Sequence, residues 1–292
     1  MVPALKIHPE GPSLSRIVAG AWRWHTISQD VVDRLVQTAL SLGITTFDHA
    51  DIYGDHSNEE IFGNYLRKNP ALRSQMQLVT KCGIKFNSTK RPSTWIKHYD
   101  TSREHIRWSV ENSMKMLGTD HLDLLLIHRP DPLTDPDEIS EAFLKLRMEG
   151  KVLHFGVSNF TPAQFRMLQK NLAFPLVTNQ IEISFSRIDP LFNGDLDLLM
   201  EFKSSPMAWS PLGGGKAVAT DERTAFNKAS KYNASYAQLS LAWLMKHPAR
   251  IFPIIGTTKP ERIQEAAGSC DISIDRQDWF EMLKWVTGRD VP

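Results

Sequence analysis

The 292-residue sequence predicts a single (β/α)8 barrel. Short apolar, β-prone runs alternate with longer segments of helical period over almost the whole chain. Several of these runs are apolar on both faces, as parallel strands covered by helices must be. No break in composition divides the chain, and a barrel of this class needs ~250 residues. An open doubly wound sheet is the competing arrangement, because alternation alone does not distinguish the two.

Eight segments have the composition and length of barrel strands. They are residues 16–22, 44–49, 76–82, 122–128, 152–159, 176–182, 206–211 and 251–256. The residues before Arg16 predict an N-terminal β-hairpin, and "DRQDWFEMLKWVTG" near the end predicts an additional helix. Long loops follow the third, sixth and seventh strands, on the side where a barrel places its active site. We therefore expect one domain spanning residues 1–292.

The helical segments between the strands have recognisable ends. In "SQDVVDRLVQTALSLG", Ser28 or Asp30 can cap the start of a helix and Gly43 can end it. Thr161 directly precedes Pro162, which is the typical order of a cap and a first helical residue. These signals place helices between successive strands, as a barrel requires.

Composition excludes several classes of function. The formal net charge is +1, so there is no electrostatic reason to expect nucleic-acid binding. Cys82 and Cys270 lie far apart and predict neither a disulfide framework nor a paired-cysteine metal motif. The sequence has no secretion signal at its start and no apolar run near the ~20 residues that span a bilayer. We expect a cytoplasmic protein without a membrane partner, and the oligomeric state is open.

Polar residues close the predicted strands. Because the carboxyl ends of barrel strands meet at one mouth, residues far apart in sequence form one constellation there. The strand-closing residues are Asp48, Lys81, His128, Ser158, Asn159 and Gln180.

A tyrosine follows the second strand closely, in "FDHADIYG". Its pKa is normally about 10, so it donates a proton poorly at neutral pH unless a nearby cation stabilises the phenolate. Lys81 can supply that cation and Asp48 can hold it in place. His128 can orient a substrate carbonyl by a hydrogen bond. His49 and Asp51 are expected to shape the turn, so replacing them should harm activity less than replacing Asp48 or Tyr53.

Seven motifs, in order along nearly the whole chain, resemble those of the aldo-keto reductases. They are "FDHADIYG", "VTKCG", "LDLLLIHRPDP", "GVSNF", "TNQIE", "AWSPLGGG" and "PIIGTTKPERIQEA". The resemblance implies a barrel that binds NADPH across its mouth without a G-x-G-x-x-G motif, and reduction of a small carbonyl substrate to an alcohol. It also implies a catalytic tetrad, formed here by Asp48, Tyr53, Lys81 and His128.

The resemblance extends to the cofactor-binding residues. Ser158, Asn159 and Gln180 would hydrogen-bond the nicotinamide carboxamide, and Trp209 would stack on the ring. The pyrophosphate would lie under the following loop, whose contributing residues are Ser210, Leu212, Gly214 and Lys216. The adenosine end would meet Gly256, Thr257, Thr258, Lys259, Arg262 and Glu265.

The pattern departs from one common form of the family at two positions. Gly256 stands where a lysine is frequent, and Ala266 stands where an asparagine is frequent. Lys259 and Arg262 still favour NADPH, while NADH is left open as an alternative. For the substrate, Trp22, Trp24 and Trp95 are candidates to wall an apolar pocket. Trp22 is the one we select, because it directly closes a strand.

Two other functions compete with carbonyl reduction. The same fold resembles the β subunits of potassium channels, in which cofactor sensing and a partner protein matter more than turnover. A metal-dependent barrel hydrolase is the third hypothesis, although Lys81 would bring a positive charge towards the metal. Its ligands would be Asp48, His49, Asp51 and His128.

Overall fold

The computed structural model describes residues 1–215 and 222–292, and its strands confirm the predicted barrel. In chain order the strands are β1 (Ala4–Lys6), β2 (Ser13–Ser15), β3 (Val18–Gly20), β4 (Thr46–Asp48), β5 (Gln77–Cys82), β6 (Ile84–Lys85), β7 (His98–Tyr99), β8 (Leu122–Ile127), β9 (Val152–Ser158), β10 (Leu176–Glu182), β11 (Met207–Trp209) and β12 (Phe252–Ile255). Eight of them, β3, β4, β5 and β8 to β12, form the closed barrel. Each lies inside one of the eight predicted segments.

The last barrel strand pairs with the first, which closes the sheet. β12 runs parallel to β3, with Ile254 opposite Val18 and Ile255 opposite Ala19. The remaining neighbours in the barrel are also parallel and follow chain order. Closure rules out the open doubly wound sheet, whose edge strands would have no such partner.

Helices surround the barrel between its strands. In chain order they are α1 (Gln29–Ser41), α2 (Tyr53–His56), α3 (Asn58–Lys68), α4 (Arg103–Leu117), α5 (Pro136–Met148), α6 (Pro162–Lys170), α7 (Asp195–Glu201), α8 (Glu222–Lys231), α9 (Tyr236–Met245), α10 (Pro260–Ala267) and α11 (Arg276–Thr287). Their apolar faces pack on the outside of the sheet and build the largest core cluster. None of the helices in the described part of the chain combines the length and apolarity that a bilayer span requires.

The two additions to the barrel also form as predicted. The N-terminal hairpin pairs β1 with β2, and its Ile7 and Leu14 pack with Val177 and Phe252 at the amino ends of barrel strands. At the other end of the chain, α11 docks on α9. The Trp243 and Trp279 rings stack there, with their centroids 4.8 Å apart. The hairpin therefore covers the barrel bottom and leaves the mouth open.

Candidate active site

The mouth of the barrel holds a cavity of about 1000 Å³. It runs from the ends of β4 and β8 to the start of α10. Three of the four predicted tetrad residues, Asp48, Tyr53 and His128, lie on its wall. The fourth, Lys81, lies directly behind them with no exposed side-chain surface. The structure therefore brings together groups that are up to 80 positions apart in sequence (128 − 48).

Lys81 is the centre of the hydrogen-bond network. Its Nζ donates to Asp48 Oδ2 at 2.7 Å, to the His49 carbonyl oxygen at 2.7 Å and to Tyr53 Oη at 3.1 Å. An ammonium group has three N–H donors, so all of them are used. A buried ammonium is tolerated only when it is paired and hydrogen-bonded, and both conditions are met here.

A sharp turn brings Tyr53 back over the end of β5. Tyr53 opens α2, in which Gly54 and Asp55 have left-handed φ angles of 59° and 53°. Asn58 ties the turn to β3 by donating to the carbonyl oxygens of Ala21 and Trp22. A Cβ atom at Gly54 would lie 2.1 Å from Asn58 Oδ1, so only glycine fits.

Burial and charge act in opposite directions on the central pair. Burial raises the pKa of Tyr53, and the Lys81 ammonium only partly offsets this, so the net shift is upward. The sequence predicts a lowered pKa for this tyrosine, whereas its surroundings in the structure raise it. Burial by itself would lower the pKa of Lys81, but the Asp48 carboxylate and Tyr53 raise it above its ordinary value. Lys81 is therefore charged and Tyr53 keeps its proton at neutral pH.

His128 meets Tyr53 edge-on, with ring centroids 5.8 Å apart. Burial, and then the charge of Lys81, hold the pKa of His128 well below its ordinary value. The ring is neutral at physiological pH and so carries one N–H donor and one acceptor. A neutral imidazole beside the phenol can orient a substrate oxygen without competing as an acid.

The predicted carboxamide-binding residues form a linked cluster next to the tetrad. Gln180 Nε2 donates to Asp48 Oδ1 at 2.8 Å, a contact that the sequence did not indicate. Ser158 Oγ donates to the Gln180 carbonyl oxygen, and Asn159 Nδ2 donates to Ser158 Oγ at 2.7 Å. Trp209 Nε1 donates to Asn159 Oδ1 at 3.0 Å. All four residues line the cavity.

The predicted pyrophosphate loop borders the cavity. Ser210, Leu212 and Gly214 lie on its wall, and Lys216 falls outside the described residues. A Cβ atom at Gly214 would have no neighbour within 4 Å, so a side chain there would occupy open space on the wall. The glycines therefore allow a ligand to approach the backbone closely.

The predicted adenosine end divides into two groups. Gly256, Thr257, Arg262 and Glu265 line the cavity. Thr258 and Lys259 do not appear on the cavity wall. Lys259 stands at the N-cap of α10 and its backbone N–H donates to Thr257 Oγ1.

The three tryptophans proposed for a substrate pocket have different positions. Trp22 is on the cavity wall and 56% exposed, as predicted. The prediction that Trp24 lines the pocket is wrong, because its side chain is buried in the core against Phe47 and Phe62. Trp95 is 80% exposed and does not line the cavity.

Several cavity residues were not selected from the sequence. Arg129 is one of them, and it lies on the cavity wall with its guanidinium carbon 5.6 Å from the Trp209 ring centroid. Arg23 lies over Trp22 and donates to the Gly256 carbonyl oxygen, and Lys97 comes from the long loop after β6. The sequence offers one signal for the two arginines: Arg23 directly follows Trp22, and Arg129 directly follows His128.

A second group of ionisable residues is buried behind the tetrad. His49 packs between Trp24 and Phe62, and burial lowers its pKa to about 3. Burial raises the pKa of Asp51 to about 8 and that of Glu59 to about 7, and the charge of Glu59 adds to the upward shift at Asp51. None of the three lines the cavity. The interpretation of His49 and Asp51 as supporting residues fits this position, and Glu59 went unnoticed.

Comparison with known proteins identifies the family of the chain. The model of the Aldo/keto reductase family matches residues 16–285. The chain is 46% identical to oxidoreductase YdhF of Escherichia coli over 100% of both chains, and 45% identical to a 6-dehydroglucose reductase of Agrobacterium fabrum over 95% and 96% of them. The crystal structure of the thermostable aldo-keto reductase Tm1743 shares the fold, with a TM-score of 0.86 at 23% identity over 97% and 99%. The chain therefore belongs to the aldo/keto reductase family and is an oxidoreductase.

Proposed function

We propose that this enzyme reduces an aldehyde or ketone to an alcohol with NAD(P)H, and that Tyr53 is the general acid. The observation that supports this assignment is the continuous hydrogen-bond chain from Asp48 through Lys81 to the Tyr53 hydroxyl at the cavity wall. Tyr53 and Asp48 line the cavity, while Lys81, which donates to the tyrosine oxygen, is buried directly behind them. A substrate oxygen bound there would be within reach of one proton donor.

Each residue of the tetrad has a distinct role in this proposal. A nicotinamide cofactor held by Ser158, Asn159 and Gln180 would supply a hydride for the carbonyl carbon. Tyr53 gives its proton to the carbonyl oxygen as negative charge develops on it. Lys81 stabilises the phenolate that remains, and Asp48 keeps Lys81 charged and in place. His128 donates a hydrogen bond that orients the carbonyl oxygen.

The groups that line the cavity support binding of a nicotinamide dinucleotide along it. The cluster of Ser158, Asn159 and Gln180 offers amide and hydroxyl groups at one end, and Arg262 offers a cation at the other. A cation at the adenosine end favours NADPH over NADH, because only NADPH carries the 2′-phosphate. We therefore propose NADP as the preferred cofactor, with NADH as the alternative.

The competing hypotheses have less support. Close similarity to named reductases favours turnover over a role as a channel-associated cofactor sensor. In residues 1–215 and 222–292, no three His, Cys, Asp or Glu side chains are grouped to hold a metal ion. Lys81 Nζ instead donates to Asp48, the first ligand that a metal site would need. Our proposal further includes one barrel domain, a cytoplasmic location and no nucleic-acid partner.

Replacing Tyr53 with phenylalanine tests the assignment of the acid. The ring and its packing are retained, but no proton can be donated, so steady-state reduction of a good carbonyl substrate should fall by at least about 1000-fold. NADPH binding, followed by protein fluorescence, should stay within a few-fold of wild type. Turnover by the Tyr53→Phe variant at a rate near wild type would contradict the proposal.

Titration with NADPH and with NADH tests the cofactor assignment. Trp209 lies on the cavity wall, and stacking of a nicotinamide on its ring should quench its fluorescence. We expect NADPH to bind at least about 10-fold more tightly than NADH, since a charge-assisted hydrogen bond contributes about 1.5–3 kcal/mol. Arg262→Gln should remove most of that difference by weakening NADPH alone. Equal affinities in the wild-type protein would overturn the NADP preference.

A further inference from the structure

Two cations on the cavity wall beside the tetrad have no acidic partner among the residues that the structure describes. Lys97 and Arg129 line the same cavity as Tyr53 and His128. Within the described parts of the chain, neither side chain forms a salt bridge or donates a hydrogen bond. By contrast, Lys81, buried directly behind this wall, has all of its donors occupied.

Arg129 is held at the reacting end of the cavity. It follows His128 directly in the chain, and its guanidinium carbon lies 5.6 Å from the ring centroid of Trp209. A cation–π contact of this kind contributes only about 0.5–1 kcal/mol where water has access, and it uses none of the N–H donors. The fork of the guanidinium group is therefore available to a ligand.

Lys97 approaches the same region from a different part of the chain. It lies directly before β7 and is exposed at the cavity wall, where its charge acts on the His128 ring. One exposed carboxylate, Asp55, lines this end as well, but it pairs with neither cation. Asp48 is already paired with Lys81. The substrate end therefore carries an excess of positive charge.

We propose that Lys97 and Arg129 form an anion subsite that selects carbonyl substrates bearing a carboxylate, that is, oxo acids. The inference rests on the proposed reductase function and names its substrate class. A guanidinium fork matches the two oxygens of a carboxylate, and an ammonium adds a compact second charge. The carbonyl oxygen would lie at Tyr53 and His128 while the carboxylate lies at the subsite. Trp22 on the same wall can cover the carbon chain between them.

Matched pairs of aromatic aldehydes test the subsite. The probes are 3- and 4-carboxybenzaldehyde and the corresponding formylbenzamides, which have nearly the same size but no charge. The measured quantity is the ratio of kcat/KM for each acid to kcat/KM for its amide, with saturating NADPH. The wild-type ratio for the better acid should be at least about 10, since hydrogen bonds to a charged group change binding by about 10- to 100-fold.

Variants assign that ratio to the two cations. Arg129→Gln and Lys97→Gln should each lower the ratio by about 10-fold, mainly through KM of the acid. Arg129→Lys should give an intermediate ratio, because the charge is kept and the fork is lost. Lys90→Gln is the matched control: Lys90 is an exposed lysine of the same loop that does not line the cavity, so the ratio should be unchanged.

Three results would overturn the subsite. The first is a wild-type ratio near one, and the second is a ratio that neither Arg129→Gln nor Lys97→Gln changes. The third is an equal loss of glyceraldehyde reduction in these variants, which would mean that the cations bind hydroxyl groups. Calorimetric binding of the probes to the NADPH complex separates this failure from that of the reductase proposal. Selective acid binding without turnover of any aldehyde would keep the subsite and remove the reaction.

Discussion

Lys81 shows how a residue type can be identified from sequence while its environment cannot. A lysine at the end of an apolar run is normally solvated, yet this side chain is fully buried. The chemistry of the strand-closing residues and the family resemblance both predict Asp48 and Tyr53 as its partners. The third partner, the His49 carbonyl oxygen, is a backbone atom and leaves no trace in the identity of the residue.

Asp51 and Glu59 form a second residue-scale feature, with consequences for stability. Ser109 Oγ donates to Asp51 Oδ2 at 2.8 Å, whereas Asp51 Oδ1 is buried without a partner among the described residues. Thr80 Oγ1 donates to Glu59 Oε1 at 2.6 Å. Among the described residues neither carboxyl forms a salt bridge, so the folded protein favours their protonated forms.

We predict that this pair makes the protein less stable as pH rises from about 5 to 8. The folded state keeps protons up to about pH 8 at Asp51 and 7 at Glu59, whereas the unfolded chain releases them near pH 4. Above pH 4 the unfolded state therefore binds fewer protons, and the free energy of unfolding falls by about 1 kcal/mol per pH unit per group. Asp51→Asn should remove its share of this loss, as urea unfolding at pH 5 to 8 would show.

The comparison variant is Asp30→Asn, on an exposed carboxylate in the first turn of α1. A stability difference between Asp51→Asn and wild type that stays constant over this pH range would contradict the prediction. kcat should change less in Asp51→Asn than in Tyr53→Phe, because Asp51 does not line the cavity.

At the scale of elements, the helix ends show where local signals suffice. Thr161 caps α6 as predicted, and Gln164 completes a capping box with it. Ser28 stands at the N-cap of α1, one of the two predicted positions, but its side chain accepts no cap hydrogen bond. The residue type therefore predicts both N-cap positions correctly, but the capping hydrogen bond forms only at Thr161.

We predict unequal costs for removing these two hydroxyl groups. Thr161→Ala should lower the free energy of unfolding by about 1 kcal/mol, because the backbone N–H of Gln164 loses its acceptor. Ser28→Ala should cost clearly less, since no such bond exists there. Denaturant unfolding of both variants measures the difference. Equal losses would show that the capping box contributes nothing beyond intrinsic preference.

At the scale of the whole molecule, the C-terminal helix is fastened to the barrel by a buried charge. Asp278 on α11 accepts from Lys228 and Lys231 on α8 and from the Tyr232 hydroxyl. Its side chain is 8% exposed, whereas Asp290, which pairs with Lys284, is 80% exposed. When a buried acceptor is removed, its donors are left without a hydrogen-bond partner, which lowers stability. A salt bridge at the surface contributes little to stability.

We predict that Asp278→Asn lowers the midpoint of thermal unfolding by about 5 °C, as expected for the loss of charged hydrogen bonds in a chain of this size. Asp290→Asn should leave the midpoint nearly unchanged. Differential scanning calorimetry of the two variants provides the comparison. Equal midpoints would show that α11 is held by its apolar face alone, through contacts such as the Trp243–Trp279 stack.

The sequence by itself determined the eight strands and the polar residues that close them, because hydrophobic period is a local property of the chain. The order of the motifs added the resemblance that implies a barrel and predicts the tetrad. Tertiary structure decided what depends on distance between elements. It buried Trp24, brought Arg129 and Lys97 to one wall and turned Gln180 towards Asp48. It also reversed the expected shift of the Tyr53 pKa. Burial and charge are sums over neighbours from many strands, and no single stretch of sequence contains those sums.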